Sequence, residues 1–157
     1  MTRARGLMLA AVLLPLAAVA AALVSQHTFD MQPCPWCVLQ RLVFVAVALV
    51  ALPGLLINRP GVRRASAAAV LTLSLCGMAA ALWQHFVAAS SASCNMTLAD
   101  RIVGGLKLDA VAPQVFAAYA TCAEAAVKIA GIPYEFFSLA LFIALGLAAV
   151  AVWRRPA

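Results

Sequence analysis

The chain has 157 residues, of which 66% are hydrophobic and 10% are charged, and its net charge is +6. Soluble domains are about half apolar and about a quarter charged, whereas the mean hydropathy here is +1.03. This composition excludes an ordinary soluble domain and predicts an integral membrane protein, with residues 1–157 as a single domain.

Four apolar runs follow one another, at about residues 7–24, 38–57, 65–89 and 136–153. An α-helix of about 20 apolar residues crosses a hydrocarbon core of roughly 30 Å, so each run predicts a transmembrane helix. Strands of a membrane barrel would be about half as long and alternate in polarity. Arg3 and Arg5 also fit the start of a signal peptide, but further spans follow at once, which favours a retained helix. The sequence predicts an all-α membrane protein, a four-helix transmembrane bundle.

Positive charge marks one side of this bundle. Basic residues without any acidic residue lie before the first span, between the second and third, and after the fourth: Arg3, Arg5, Arg59, Arg63, Arg64, Arg154 and Arg155. All acidic residues fall in the two other loops, at about residues 25–37 and 90–135. By the positive-inside rule, both termini are predicted to be cytoplasmic and these two loops to lie outside the cytoplasm.

The cysteines fall into two groups. Cys76 lies within the third run and is predicted to be a small, buried apolar residue. The others lie in or beside the outer loops, where disulfides persist: Cys34, Cys37, Cys94 and Cys122. Four cysteines can bind zinc, but these lack a second closely spaced pair, and an oxidising compartment disfavours the site. No metal site is predicted.

A Cys-x-x-Cys pair, Cys34 and Cys37, opens the second span, with Pro35 in the first helical turn. The free N–H groups and the positive dipole end of a helix favour a thiolate there. Arg41 lies one turn after Cys37 on the same face, where a charge inside the membrane is costly unless it has a partner. It could stabilise a thiolate or the oxyanion of a reduced lipid-soluble cofactor. The alternative is an arginine that extends to the headgroups beside an inert disulfide.

Two further positions carry candidate chemistry. Cys94 and Cys122 are separated by 27 residues, and spacing alone favours a structural disulfide that closes the long loop. A labile disulfide that exchanges with other thiols is the alternative. His85 lies near the outer end of the third span, at the depth of Cys37, where it could hydrogen-bond a cofactor or have a structural role.

Taken together, these features resemble the DsbB family, the disulfide bond formation proteins B of bacterial inner membranes. The resemblance covers nearly the whole chain and rests on the four spans, the two cysteine pairs, Gln26-His27 before a short loop, Arg41, Pro113–Phe116 and Cys122–Glu124. It implies a thiol:quinone oxidoreductase of a Gram-negative inner membrane, with a long second periplasmic loop. Such an enzyme would reoxidise a DsbA-like periplasmic thiol oxidase and pass the electrons to ubiquinone or menaquinone.

The resemblance also implies roles for single residues. Cys94–Cys122 would be the disulfide attacked by the partner, with Cys94 in the mixed disulfide, and Cys34–Cys37 would reoxidise that pair. Cys37 would attack the quinone, Arg41 would polarise a quinone oxygen, and His85 would lie near the quinone. Residue 40 of this chain is glutamine, whereas the best-known member of the family has an acidic residue before the arginine.

Two other interpretations stay open. An enzyme similar to vitamin K epoxide reductases would also carry electrons from thiols to a quinone-type substrate, although there the Cys-x-x-Cys pair lies on the last core helix. A non-enzymatic membrane scaffold with a disulfide-stapled outer loop would need no redox chemistry. Quinone-dependent oxidation of a dithiol protein separates these possibilities.

Overall fold

Four long helices form most of the chain in a computed structural model, which describes residues 2–91 and 96–156. They are α1 (Arg3–Phe29), α2 (Pro35–Leu56), α3 (Pro60–Phe86) and α7 (Tyr134–Arg154). All four are long and apolar enough to cross a membrane. The predicted four-helix bundle is confirmed. Each helix begins before its predicted span, because helical hydrogen bonding continues past the apolar residues into polar end turns. Helices α2 and α3 end one and three residues before the predicted ends of their spans.

Both termini lie at one end of the bundle, together with the turn between α2 and α3. Arg63, in the first turn of α3, donates hydrogen bonds to the carbonyl of Pro156 (2.8 Å) and to the carbonyl of Gly54 near the end of α2 (3.2 Å). The opposite end carries the short α1–α2 connection and the long α3–α7 connection. The basic residues that are predicted to be cytoplasmic and the cysteine pair therefore occupy opposite ends of the bundle.

The long connection holds several short elements: a 3₁₀ turn (Ala88–Ser90), α4 (Leu98–Gly105), α5 (Leu108–Val111), α6 (Pro113–Phe116), β1 (Lys128–Ile129) and β2 (Ile132–Pro133). The strands pair antiparallel, with Ile129 opposite Ile132. Ala130 and Gly131 form the turn with φ of 51° and 81°, which matches the twist of a tight hairpin. Cys94 lies outside the described residues.

Close packing of α3 against α7 centres on the Phe142 ring. Gly77 faces this ring so closely that a Cβ at residue 77 would overlap it. On its other side, Phe142 stacks on Phe44 of α2, with ring centroids 4.2 Å apart. Small residues thus allow three spans to approach one another, as membrane helices commonly do.

Cys76 does not lie in this interior. Its side chain is exposed on the outer face of α3, so the prediction of a buried residue is wrong. Successive helical residues are rotated by about 100°, and Ser74 and Gly77 occupy the buried seam. Cys76 consequently faces outward, where a bilayer would surround it with acyl chains.

Candidate redox site

Three sulfur atoms meet at the start of α2, where the Cys34 sulfur contacts the other two. Cys34 is the N-cap residue, and its Sγ accepts a hydrogen bond from the backbone N–H of Cys37 (3.4 Å). The Cys34 Sγ lies 3.0 Å from the Cys37 Sγ and 2.7 Å from the Cys122 Sγ. The structure therefore brings together three of the four predicted redox cysteines.

Cys122 reaches this position because the outer loop is fixed to the residue before Cys34. The backbone N–H groups of Tyr119 and Ala120 both donate to the Pro33 carbonyl, at 3.0 and 3.3 Å. Cys122 then sits in a turn closed by reciprocal hydrogen bonds between Thr121 and Glu124.

These bonds also affect the charge state of the loop. The backbone N–H of Thr121 (2.8 Å) and then its hydroxyl (2.9 Å) donate to the Glu124 carboxylate and lower the pKa of Glu124. The group is ionised at neutral pH, and its contribution to the turn is present above the unfolded pKa of about 4.3 and lost as the pH falls through the folded value. The hydrogen bonds that the Glu124 carboxylate accepts in the turn around Cys122 are thus present at neutral pH.

The two thiols of the Cys-x-x-Cys pair have different environments. The hydrogen bond of Cys34 with Cys122, its hydrogen bond with Cys37, and burial together raise the pKa of the Cys34 thiol well above its ordinary range. Cys34 therefore keeps its proton when reduced. The Cys37 sulfur accepts a hydrogen bond from the side-chain amide of Gln84, which favours its reaction as a thiolate.

A pair of buried glutamines supports Cys37. Gln84 of α3 donates from Nε2 to the Cys37 Sγ at 3.2 Å. Gln40 donates from its own Nε2 to the Oε1 of Gln84 at 2.6 Å, and the two side chains are only 3% and 4% exposed. Because Gln40 occupies the oxygen of Gln84, the amide nitrogen of Gln84 is left to face the sulfur. The pair supplies an uncharged donor that favours a thiolate.

Replacing Gln84 with leucine is expected to slow alkylation of reduced Cys37 by iodoacetamide about tenfold at neutral pH, because a hydrogen bond to a charged group is lost. Peptide mass spectrometry measures the rate at Cys37 alone. Gln40→Leu should have a smaller effect in the same direction, and Gln114→Leu, which removes an exposed amide elsewhere, should have none. Equal rates in the Gln84 and Gln114 variants would contradict this role.

Arg41 is enclosed by protein and does not extend to the headgroups. Its Nη1 donates to the Oε1 of Gln26 (2.7 Å) and to the Val115 carbonyl (3.1 Å), and its Nη2 donates to the Ala22 carbonyl (3.5 Å). Only 6% of Arg41 is exposed. The guanidinium thus joins α1, α2 and α6, which explains why the Pro113–Phe116 run accompanies this arginine.

A cavity of about 330 Å³ opens beside Cys37 and Arg41. Its volume is at the lower end of the range for small-molecule sites, about 300–1,000 Å³. Apolar residues of α1, α2, α7 and the two outer loops line most of the cavity. Its polar lining includes Cys37, Gln40, Arg41, Gln84, Tyr134 and Glu135. The cavity can therefore hold a mainly apolar molecule with a polar group near Cys37.

His85 approaches the site through Glu135. Its Nδ1 lies 2.6 Å from the Glu135 Oε1, and its ring packs against Phe86 and Phe136. Glu135 lines the cavity wall, whereas His85 is not among the lining residues. The predicted contact between His85 and a quinone stays a prediction.

Comparison with known proteins identifies the family to which this site belongs. The family model described as "Disulfide bond formation protein DsbB" matches residues 4–152. The chain belongs to the DsbB family. Disulfide bond formation protein B of Aromatoleum aromaticum is 32% identical over 83% of this chain and 80% of its own. That of Herminiimonas arsenicoxydans is 30% identical over 94% and 93%, and Disulfide bond formation protein B 1 of Pseudomonas aeruginosa is 31% identical over 96% of each chain.

Membership of the DsbB family establishes the general role. The protein is a multi-pass inner-membrane protein of disulfide bond formation, and its chemistry is that of an oxidoreductase. Sequence reasoning assigned no role at the site to three residues that complete it, Gln26, Gln84 and Glu135, although Gln26 belongs to the family pattern given above. A signal for two of them exists, because Gln26 and Gln84 are uncharged polar residues at the outer ends of apolar spans.

Proposed function

We propose that this member of the DsbB family reoxidises a DsbA-like periplasmic thiol oxidase and passes the electrons to membrane ubiquinone or menaquinone. The observation that carries the proposal is the line of sulfurs from Cys122 through Cys34 to Cys37, which ends at the wall of a cavity. The distribution of basic residues supports a periplasmic location for this end of the bundle.

The geometry supports a definite order of thiol–disulfide exchange. A thiolate of the partner attacks the Cys94 sulfur of a Cys94–Cys122 disulfide, forms a mixed disulfide and releases Cys122 as a thiolate. Cys122 then attacks Cys34, the nearer sulfur of the Cys34–Cys37 disulfide, at a separation of 2.7 Å between the sulfurs. A Cys122–Cys34 bond forms and Cys37 leaves as a thiolate, stabilised by the Gln84 donor.

Two further exchanges complete the thiol half of the reaction. The second thiol of the partner attacks its own mixed disulfide, so that the partner leaves oxidised and Cys94 is released as a thiolate. Cys94 attacks Cys122, re-forms their disulfide and releases Cys34, which takes a proton. The two electrons from the partner then reside in the Cys34–Cys37 dithiol, with Cys37 on the cavity wall.

The cavity beside Cys37 fits a quinone headgroup. Ala22, Phe44 and Leu141 provide apolar walls. The guanidinium of Arg41 can donate a hydrogen bond to a quinone oxygen and places a positive charge beside it. When bound, a quinone accepts two electrons and two protons and leaves as the quinol. Because α1 and α7 border the cavity within the membrane, an isoprenoid tail can extend from it among the acyl chains.

The test is oxidation of a reduced DsbA-type dithiol protein by the purified chain with ubiquinone or menaquinone, followed as quinol formation. One quinol is expected for each dithiol oxidised. If the second thiol of the partner is removed by a cysteine-to-alanine change, the mixed disulfide between Cys94 and the partner should accumulate and be recovered under non-reducing conditions, whereas Cys76→Ala should turn over normally. Oxidation at an unchanged rate without quinone would contradict the proposal.

A further inference from the structure

A second cavity, of about 520 Å³, lies at the opposite end of the bundle from the sulfurs, between the first turns of α1 and the last turn of α7. Helix α1 contributes Arg3, Ala4 and Leu7, and the end of α7 contributes Ala151, Arg154 and Arg155. Residues three and four apart share a helix face, so each helix presents arginine together with small or apolar side chains, with one arginine on α1 and two on α7. Three small or apolar side chains form the floor and three arginines form the rim.

None of the three rim arginines is neutralised by the protein. Within residues 2–91 and 96–156, the side chains of Arg3, Arg154 and Arg155 have no hydrogen-bond or ion-pair partner. The buried arginines differ, since Arg41 and Arg63 each donate to three acceptors. All five acidic residues of the chain belong to or border the loops at the sulfur end. None of these acidic residues lines the cavity, so its arginines are available to an anion from outside the protein.

Hydrogen bonds hold the end of α7 that borders the cavity in a fixed position. Arg63, only 3% exposed, donates to the Pro156 carbonyl at 2.8 Å and to the Asn58 Oδ1 at 2.9 Å. The backbone N–H of Arg155 donates to the Ala151 carbonyl at 3.1 Å. Arg155 is thus held between the last turn of α7 and an anchored Pro156, and it stays beside Arg154 at the rim.

The position of the cavity relative to the membrane favours a lipid as the source of the anion. A helix of 27 residues such as α1 is about 40 Å long, which exceeds the roughly 30 Å of hydrocarbon. The arginine rim therefore lies at the level of the phosphates, and the apolar floor faces the acyl chains. Basic pockets between membrane helices are a known type of anionic headgroup site.

We propose that this cavity binds the phosphate of an anionic phospholipid, with Arg3, Arg154 and Arg155 as its ligands. Arginine forms forked, charge-assisted hydrogen bonds with phosphate oxygens. The apolar floor of Ala4, Leu7 and Ala151 contacts the first part of an acyl chain. Such a lipid would bridge the first and last spans, which meet along this cavity.

The chain provides a matched control for the test. Arg5, Arg59 and Arg64 are exposed at the same end of the bundle and do not line the cavity. Two triple variants, each with three arginines changed to glutamine, therefore remove equal charge from one membrane face. Only the first, Arg3→Gln with Arg154→Gln and Arg155→Gln, removes the proposed ligands.

Binding is measured by native mass spectrometry of the full chain in detergent micelles, titrated with phosphatidylglycerol, phosphatidylcholine or inorganic phosphate. The wild-type chain is expected to prefer phosphatidylglycerol over phosphatidylcholine. The rim triple variant should lose about a hundredfold in affinity, since each arginine contributes about fivefold, and the control triple variant about fivefold or less. Arg3→Gln alone, at an exposed position, gives the single-residue effect if the triple variant is unstable.

Three results would overturn the proposal. Equal losses in the two triple variants would indicate a general surface attraction. Equal binding of phosphatidylcholine would exclude a charge-selective site. Inorganic phosphate that displaces the lipid at equal concentration would identify an ion site without a lipid component.

Discussion

Replacing Cys37 with serine is expected to slow quinone-dependent dithiol oxidation at least about a thousandfold, because the only cysteine among the described residues that line the cavity is removed. Quinol formation in the steady state is the measurement. In this variant Cys34 has no disulfide partner within its own pair. It remains available as a thiol for exchange with Cys122 of the outer loop. The same variant should therefore form a Cys34–Cys122 disulfide under mild oxidation, since these sulfurs are 2.7 Å apart.

Cys76→Ser is the matched control for this variant. It makes the same chemical change on the outer face of α3, and activity should stay within about twofold of wild type, the usual limit for a change at such an exposed position. Peptide mapping under non-reducing conditions identifies the disulfides in both variants. Substantial quinone reduction by the Cys37 variant, or a failure to detect the Cys34–Cys122 bond, would show that the proposed order of sulfurs is wrong.

The spans were predictable because the membrane imposes a strong condition on sequence. A helix in hydrocarbon must be apolar over about 20 residues, and no other regular element of this length satisfies its backbone there. The two-residue strands near Gly131 give no comparable pattern, since alternation needs at least four residues to be recognised. The exposure of Cys76 could not be predicted from the sequence either, because in an apolar helix the protein-facing and lipid-facing sides have similar composition.

The site was predictable only in part. The Cys34–Cys37 pair and Arg41 belong to one helix, and helical spacing alone places them together. Their partners come from elsewhere in the chain: Cys122 contacts Cys34 across 88 positions, and the Val115 carbonyl contacts Arg41 across 74. Four cysteines allow three pairings, and sequence does not choose among them. The backbone bonds from Tyr119 and Ala120 to Pro33 determine which sulfur Cys34 meets.

Replacing Arg41 with leucine is expected to affect both the stability of the protein and its use of quinone. Without the guanidinium, the Gln26 Oε1 and the Val115 carbonyl lose their donor, and each buried acceptor left unsatisfied costs about 1–3 kcal/mol. The midpoint of thermal unfolding should fall accordingly. Below that midpoint, kcat/KM for quinone should fall about a hundredfold, because a positive charge beside the reacting oxygen is lost.

Two further variants separate these effects of Arg41. Arg41→Lys keeps the positive charge but presents it as a single ammonium, which cannot reach acceptors on α1 and α6 together. It should be nearly as unstable as the leucine variant while recovering much of kcat/KM. Gln26→Leu removes one acceptor of Arg41 without lining the cavity, so stability should fall and KM for quinone should change little. Wild-type kcat/KM in folded Arg41→Leu would restrict Arg41 to a structural role, in which it only joins α1, α2 and α6.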